Sequence, residues 1–274
     1  MPEIFEFDAY SPRQIAAKVG TIGVAKARLP LLSMLMLSVL AGAFIGLGAL
    51  YYVLVRSDPS LGFAARQVLG GLVFSLGLIL VVIAGAELFT GNNLLAMAWA
   101  DGRISTRELL RNWVTVCIGN FIGAAGLALL VFLSRHPEMN NGAIAKEYVA
   151  IAAAKIAMPF WTALFKGMLC NVLVCMAVWM ALAGRSVVDK VVAIVFPISA
   201  FVAAGFEHSI ANMYLIPLAM LLQGIDGVGA TAGAITWAGF FSNLVPVIMG
   251  NILGGSVLVG LVYYVIYLRA PGEN

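Results

Sequence analysis

In a chain of 274 residues, 62% hydrophobic and only 11% charged side chains leave too little polar surface for a soluble domain, where about a quarter of residues are charged. The formal charge of +3 is small, and no basic run is interleaved with aromatics, which excludes a nucleic-acid-binding surface. Cys117, Cys170 and Cys175 all fall in apolar stretches; an odd number so placed makes neither a disulfide framework nor a CxxC metal site, and they read as small apolar side chains.

Residues 1–29 carry Glu3, Glu6, Asp8, Arg13, Lys18, Lys26 and Arg28. They lack the apolar core and small-residue cleavage site of a signal peptide and read as a polar, partly amphipathic lead-in. A spanning helix needs about 20 apolar residues, and six segments qualify: 30–55, 67–100, 113–133, 157–183, 191–223 and 236–268. The expected architecture is therefore an all-α polytopic membrane protein. It has a channel domain over 30–268, with halves 30–133 and 157–268, and a short tail over 269–274. With the N-terminus inside, ten Lys and Arg fall on the inner side and five on the outer, leaving out Lys166 within the fourth segment. That bias places both termini in the cytoplasm, and the expected location is the cell's inner membrane.

The two halves resemble each other. Gly85-Ala-Glu87-Leu-Phe-Thr-Gly-Asn92 matches Gly205-Phe-Glu207-His-Ser-Ile-Ala-Asn212 as G-x-E-x-x-x-x-N, at an offset of 120. A second block, N-x-V-x-V-x-x-G-N-x-x-G, relates Asn112–Gly123 to Asn243–Gly254 at an offset of 131. Each half holds three spans, an odd number, so the halves are expected to be inverted, with the second and fifth spans broken and a site near the midplane. The pairs Gly42/Gly46, Gly119/Gly123 and Gly250/Gly254 suit close helix packing.

The break in the second span is expected over Thr90–Asn93, a run of good loop formers, and its equivalent around Ser209, Ala211 and Asn212. Glu87 and Glu207 at mid-depth need hydrogen-bond donors, for which backbone N–H groups freed by the breaks are one source. They read either as structural caps or as solute contacts. Half-helix N-termini carry about half a positive charge, and two of them aimed at the centre favour an anion. His208 is the one histidine inside a span. It reads either as a proton exchanger for a passing weak acid or as a hydrogen-bonding partner of the opposite loop. Phe74, Phe89 and Phe201 near the breaks read as apolar gates or as core.

These blocks resemble the signatures of the formate/nitrite transporter family. Supporting stretches are Phe74–Leu80, Asn171–Trp179, Gly184-Arg185-Ser186 and Pro246–Gly254, and the likeness runs from about residue 10 to 268. The resemblance implies an aquaporin-like homopentamer, with one pore per protomer for small monovalent anions such as formate, nitrite or hydrosulfide. By motif, His208 matches the central pore histidine, Thr90 its hydrogen-bonding partner and Asn171 a pore-side asparagine. Leu78, Leu88, Phe89 and Val174 match residues near the inner constriction, and Phe74 and Phe201 those near the outer one. Lys155 matches a vestibule lysine; on its own it reads as a snorkelling side chain. After Thr90 this chain has Gly91-Asn92-Asn93, where other members have other small polar residues, in a loop that controls gating in the family.

The expected function is passage of formate or nitrite with proton exchange at His208, without a cofactor, in contact with membrane lipid. A hydrosulfide or lactate-type anion:proton symporter is the alternative within the family. A water or glycerol channel is a weaker one, since no Asn-Pro-Ala box occurs. HExxH, GxSxG and clustered His/Asp sets are also missing, so an enzyme is not expected.

Overall fold

A computed structural model describes residues 9–225, 227–229 and 233–269. The first eight residues of the lead-in, and the tail apart from Arg269, lie outside the described residues.

The described chain is helical throughout. α1 (Pro12–Ala27) is followed by α2 (Leu31–Arg56), α3 (Phe63–Gly85), a 3-10 turn at Gly91–Leu94 leading into α4 (Leu95–Ala100), and α5 (Thr106–Leu133). The order then recurs as α6 (Ala143–Ile156), α7 (Phe160–Ala183), α8 (Val187–Ala203), α9 (Ser209–Leu222) and α10 (Trp237–Tyr267). Helices α2, α3, α5, α7 and α10, of 23 to 31 residues, are long and apolar enough to cross a membrane. The segment expected as a broken fifth span is two helices of 17 and 14 residues. Leu130 and Phe196 are 64% and 69% exposed on the single chain, which is cheap only where lipid or another protein surface covers them.

Local chemistry sets the helix starts. Ser11/Gln14, Ser105/Glu108 and Ser186/Asp189 form capping boxes at α1, α5 and α8, each satisfying two otherwise orphaned amides. Pro30 and Pro159 precede α2 and α7, where the missing N–H costs nothing.

The breaks lie earlier than the loop-forming residues suggest. Gly85 and Gly205 adopt φ of +85° and +69°, a region that favours glycine. The non-helical stretches are 86–90 and 204–208, while Gly91–Leu94 is already 3-10 helical and Ser209 opens α9. A left-handed glycine reverses the chain more sharply than the polar run, which can cap the next helix instead.

The glycine pairs set how closely helices approach. A Cβ at Gly123 would overlap the Val39 carbonyl of α2, and one at Gly254 the Met168 carbonyl of α7. Helix pairs α2–α5 and α7–α10 are the most extensive contacts in the molecule. Gly126, on the same helix as Gly123, has open space around it. Gly123→Ala and Gly254→Ala should each lower the thermal unfolding midpoint in detergent by several degrees. Gly126→Ala should leave it unchanged or raise it, since alanine is favoured in a helix by about 1 kcal/mol. Equal behaviour of all three would discard the close-packing role.

Candidate functional site

Two hydrogen-bond networks flank the breaks, and they match residue for residue. In the first, Lys26 Nζ lies 2.8 Å from Glu87 Oε1, and Asn92 Nδ2 donates to Glu87 Oε2 (2.7 Å) and to Asn112 Oδ1 (3.0 Å). In the second, Lys155 Nζ lies 2.7 Å from Glu207 Oε1, and Asn212 Nδ2 donates to Glu207 Oε2 (2.7 Å) and to Asn243 Oδ1 (2.7 Å). Asn112 and Asn243 close the rings by donating to the Lys26 and Lys155 carbonyls, at 3.2 and 3.0 Å.

A second asparagine in each half ties down the broken backbone. Asn120 Nδ2 donates to the Glu87 carbonyl (2.9 Å), and its Oδ1 accepts from the Phe89 amide (2.9 Å). Asn251 does the same for the Glu207 carbonyl and the Ser209 amide, both at 3.0 Å. The Glu87 and Glu207 amides donate to Leu37 O (3.2 Å) and Lys166 O (3.3 Å). Two expectations change as a result. The glutamate carboxylates are satisfied by lysine and asparagine side chains, not by freed backbone amides. The amides at the breaks are in turn taken up by Asn120 and Asn251, so the helix ends reach the centre with part of their donor set already occupied.

Between the breaks, Thr90 Oγ1 lies 3.1 Å from His208 Nε2. His208 also caps α9, its Nδ1 accepting from the Ala211 amide at 3.2 Å. An amide can only donate, so Nδ1 is the bare nitrogen, and the neutral ring carries its proton on Nε2. The Nε2–H group therefore donates to Thr90. The Phe201 ring stacks on His208 with centroids 5.8 Å apart, and Phe74 meets Phe201 edge-on at 5.7 Å. Asn171 Nδ2 holds the opposite loop through Thr90 O (3.2 Å), Asn93 Oδ1 (2.7 Å) and Asn251 O (2.7 Å). In the π-helical stretch Leu253–Leu261 of α10, Ser256 Oγ adds a bond to Asn93 O at 3.1 Å.

Two cavities approach this centre and share no lining residue. One, of about 540 Å³, is lined by Lys26, Glu87, Asn92, Leu78, Leu88 and Val178 among others. The other, of about 290 Å³, includes Lys155, Glu207, Asn212, Phe74, Phe201 and His208. Phe89 and Val174 line neither and are buried in the main core; Thr90 and Asn171 are fully buried between the two.

The structure thus brings Thr90, Asn171 and His208 together, with Phe201 and Phe74 on one side, and places Leu78 and Leu88 on the other cavity. Lys155 lines the second cavity already paired with Glu207. Sequence reasoning gave no role to Lys26, Asn112, Asn120, Asn243 or Asn251. The four asparagines stood in the second repeat block, as its first and ninth positions. Lys26 and Lys155 are related by an offset of 129, but they lie outside both blocks.

The family model described as formate/nitrite transporter matches residues 13–265. The formate channel FocA of Escherichia coli K12 is 39% identical, over 96% of this chain and 96% of that protein. The uncharacterized transporter YrhG of Bacillus subtilis 168 is 41% identical, over 93% of each. A solved structure, a pentameric formate channel with formate bound, superposes with a TM-score of 0.80 at 39% identity, covering 87% of this chain and 98% of that one. On the strength of matches that span nearly its whole length, this chain belongs to the formate/nitrite transporter family.

Proposed function

We propose that this chain is a channel for small monovalent anions of weak acids, formate foremost and nitrite next. It works as a homopentamer with one pore per protomer. Each protomer has six spans in an inverted 3+3 repeat of aquaporin-like form, α3–α4 and α8–α9 being the two broken spans. The channel domain covers 30–268, with the 1–29 lead-in and the 269–274 tail both in the cytoplasm and the protein in the inner membrane. The paired networks support this partition and extend the repeat to α1 and α6, because Lys26 and Lys155 occupy equivalent places. The pentamer and formate as solute are inferred from the relative of known structure.

The observation that carries the proton step is the Thr90–His208 contact, 3.1 Å long, between two separate cavities. An anion entering either cavity meets an apolar barrier, Leu78 with Leu88 or Phe74 with Phe201. A bare carboxylate in such surroundings has lost its water and is unstable. The Nε2–H group of His208 lies between the barriers. A hydrogen bond from this group to the carboxylate steadies the anion there; a proton taken up from vestibule water makes the crossing species closer to neutral formic acid and returns to water on the far side, the ring keeping its own Nε2 proton. Thr90 holds the ring's donor edge in place. The Lys–Glu–Asn networks serve as the frame: each carboxylate is already met by an ammonium and an amide.

Two outcomes test this reading. In proteoliposomes, wild-type formate flux should rise as pH falls from 8 to 5, and His208→Ala should lose most of that slope. Unchanged flux with an unchanged pH profile would discard the relay, and swelling in glycerol as fast as in formate would discard the anion channel. For the frame, Lys155→Met or Glu207→Gln alone leaves a buried partner unmatched and should destabilise the protein by about 3–5 kcal/mol. The double variant should lose less than the sum, as a double-mutant cycle of thermal unfolding would register.

A further inference from the structure

The two vestibules are built from equivalent residues, yet their charges differ. In the first, Lys26 and Glu87 cancel at 2.8 Å. In the second, Arg56 pairs with Glu147 at 3.0 Å and Lys155 with Glu207 at 2.7 Å. One further cation lines that cavity, Lys166. It is half-buried within α7, and among the described residues its ammonium has neither a carboxylate nor a hydrogen-bonding partner.

The repeat shows that packing does not require this charge. The Glu207 amide donates to Lys166 O at 3.3 Å, and the equivalent Glu87 amide donates to Leu37 O at 3.2 Å. Leu37 lines the first cavity as Lys166 lines the second. A leucine therefore serves the same structural role in the other half. An unmatched ammonium inside a span is costly, and such residues mark solute pathways.

We propose that Lys166 is a specificity-determining residue that captures the anion in the His208 vestibule, while Lys155, held by Glu207, is part of the frame. The ligand is a small monovalent oxoanion, whose charge the ammonium balances before the apolar slit at Phe74 and Phe201. The first vestibule, with no surplus cation, has no equivalent capture site, so the protein is electrostatically polar across a symmetric scaffold. This inference rests on the anion-channel reading above.

The test measures initial formate uptake against concentration in proteoliposomes of wild type, K166R and K166L, at about 20 mM and 500 mM ionic strength, where screening lengths differ severalfold. At low salt K166L should show a KM raised about fivefold with the maximal rate nearly unchanged, and K166R should behave as wild type. At high salt the difference should shrink to less than twofold. As a second arm, K166C is treated with a cationic or an anionic methanethiosulfonate reagent. The cationic adduct should restore the low KM and the anionic adduct should raise it further. Wild type, whose cysteines are buried or half-buried, serves as the reagent control, and size-exclusion elution reports folding of every variant. If wild type carries formate while K166L keeps its KM and the K166C adducts behave alike, the capture role is overturned and the channel reading stands. If wild type carries no formate or nitrite, the channel reading itself is overturned and this inference falls with it.

Discussion

A backbone that leaves the helix inside a membrane must find partners for its amides and carbonyls within the protein, because lipid offers none. The interruptions after Gly85 and Gly205 meet that demand with one asparagine each. Asn120 and Asn251 donate to a glutamate carbonyl and accept from an amide two residues further on. Their second hydrogens go to Ser38 O (2.7 Å) and Gly167 O (2.8 Å) on the neighbouring helices. Each side chain thus fastens a loop to two helices at once. The glycines at 119, 123, 250 and 254 sit beside these asparagines, and without their close helix contact the short amide side chains would fall short of their targets.

The acidic residues follow from the same constraint. Each glutamate carries the carbonyl and amide that need support and also a charge that needs cancelling. Lysine and asparagine neutralise and orient it, and the asparagine that does so stands five residues on, at the start of the next helix. The network therefore spans the break, joining the end of one half-helix to the start of the other. Such a frame holds the two half-helices in register across the break.

Much of this was legible in the sequence. The two boxes gave the breaks to within a few residues, and His208, Thr90 and Asn171 were singled out and do meet. The exact break was misjudged because turn-forming side chains at 90–93 also make good helix starts, and nothing in composition separates the two uses. Backbone amides were one source expected for the donors to Glu87 and Glu207; the lysine donors lie far along the chain, Lys26 being 61 positions from Glu87, whereas Asn92 and Asn212 stand only five residues on. Asn112, Asn120, Asn243 and Asn251 were visible as repeated letters, but a repeat shows only that a position matters twice. It does not say which atoms meet. The charge asymmetry between the two cavities depends on which lysines are paired, and a lysine count treats a paired and an unpaired ammonium alike.

His208 serves two masters, and that limits how it can move. Its Nδ1 edge is committed to the first turn of α9, so a half-turn of the ring would uncap a helix in the interior of the protein. The imidazole is accordingly a fixed fitting with one working edge. A carrier that ferries a proton by rotating its side chain from one face of the membrane to the other is not available to this geometry. On the proposed reading the solute comes to this edge from either cavity, and concentration and pH on the two sides, and not the ring, set the direction of its passage.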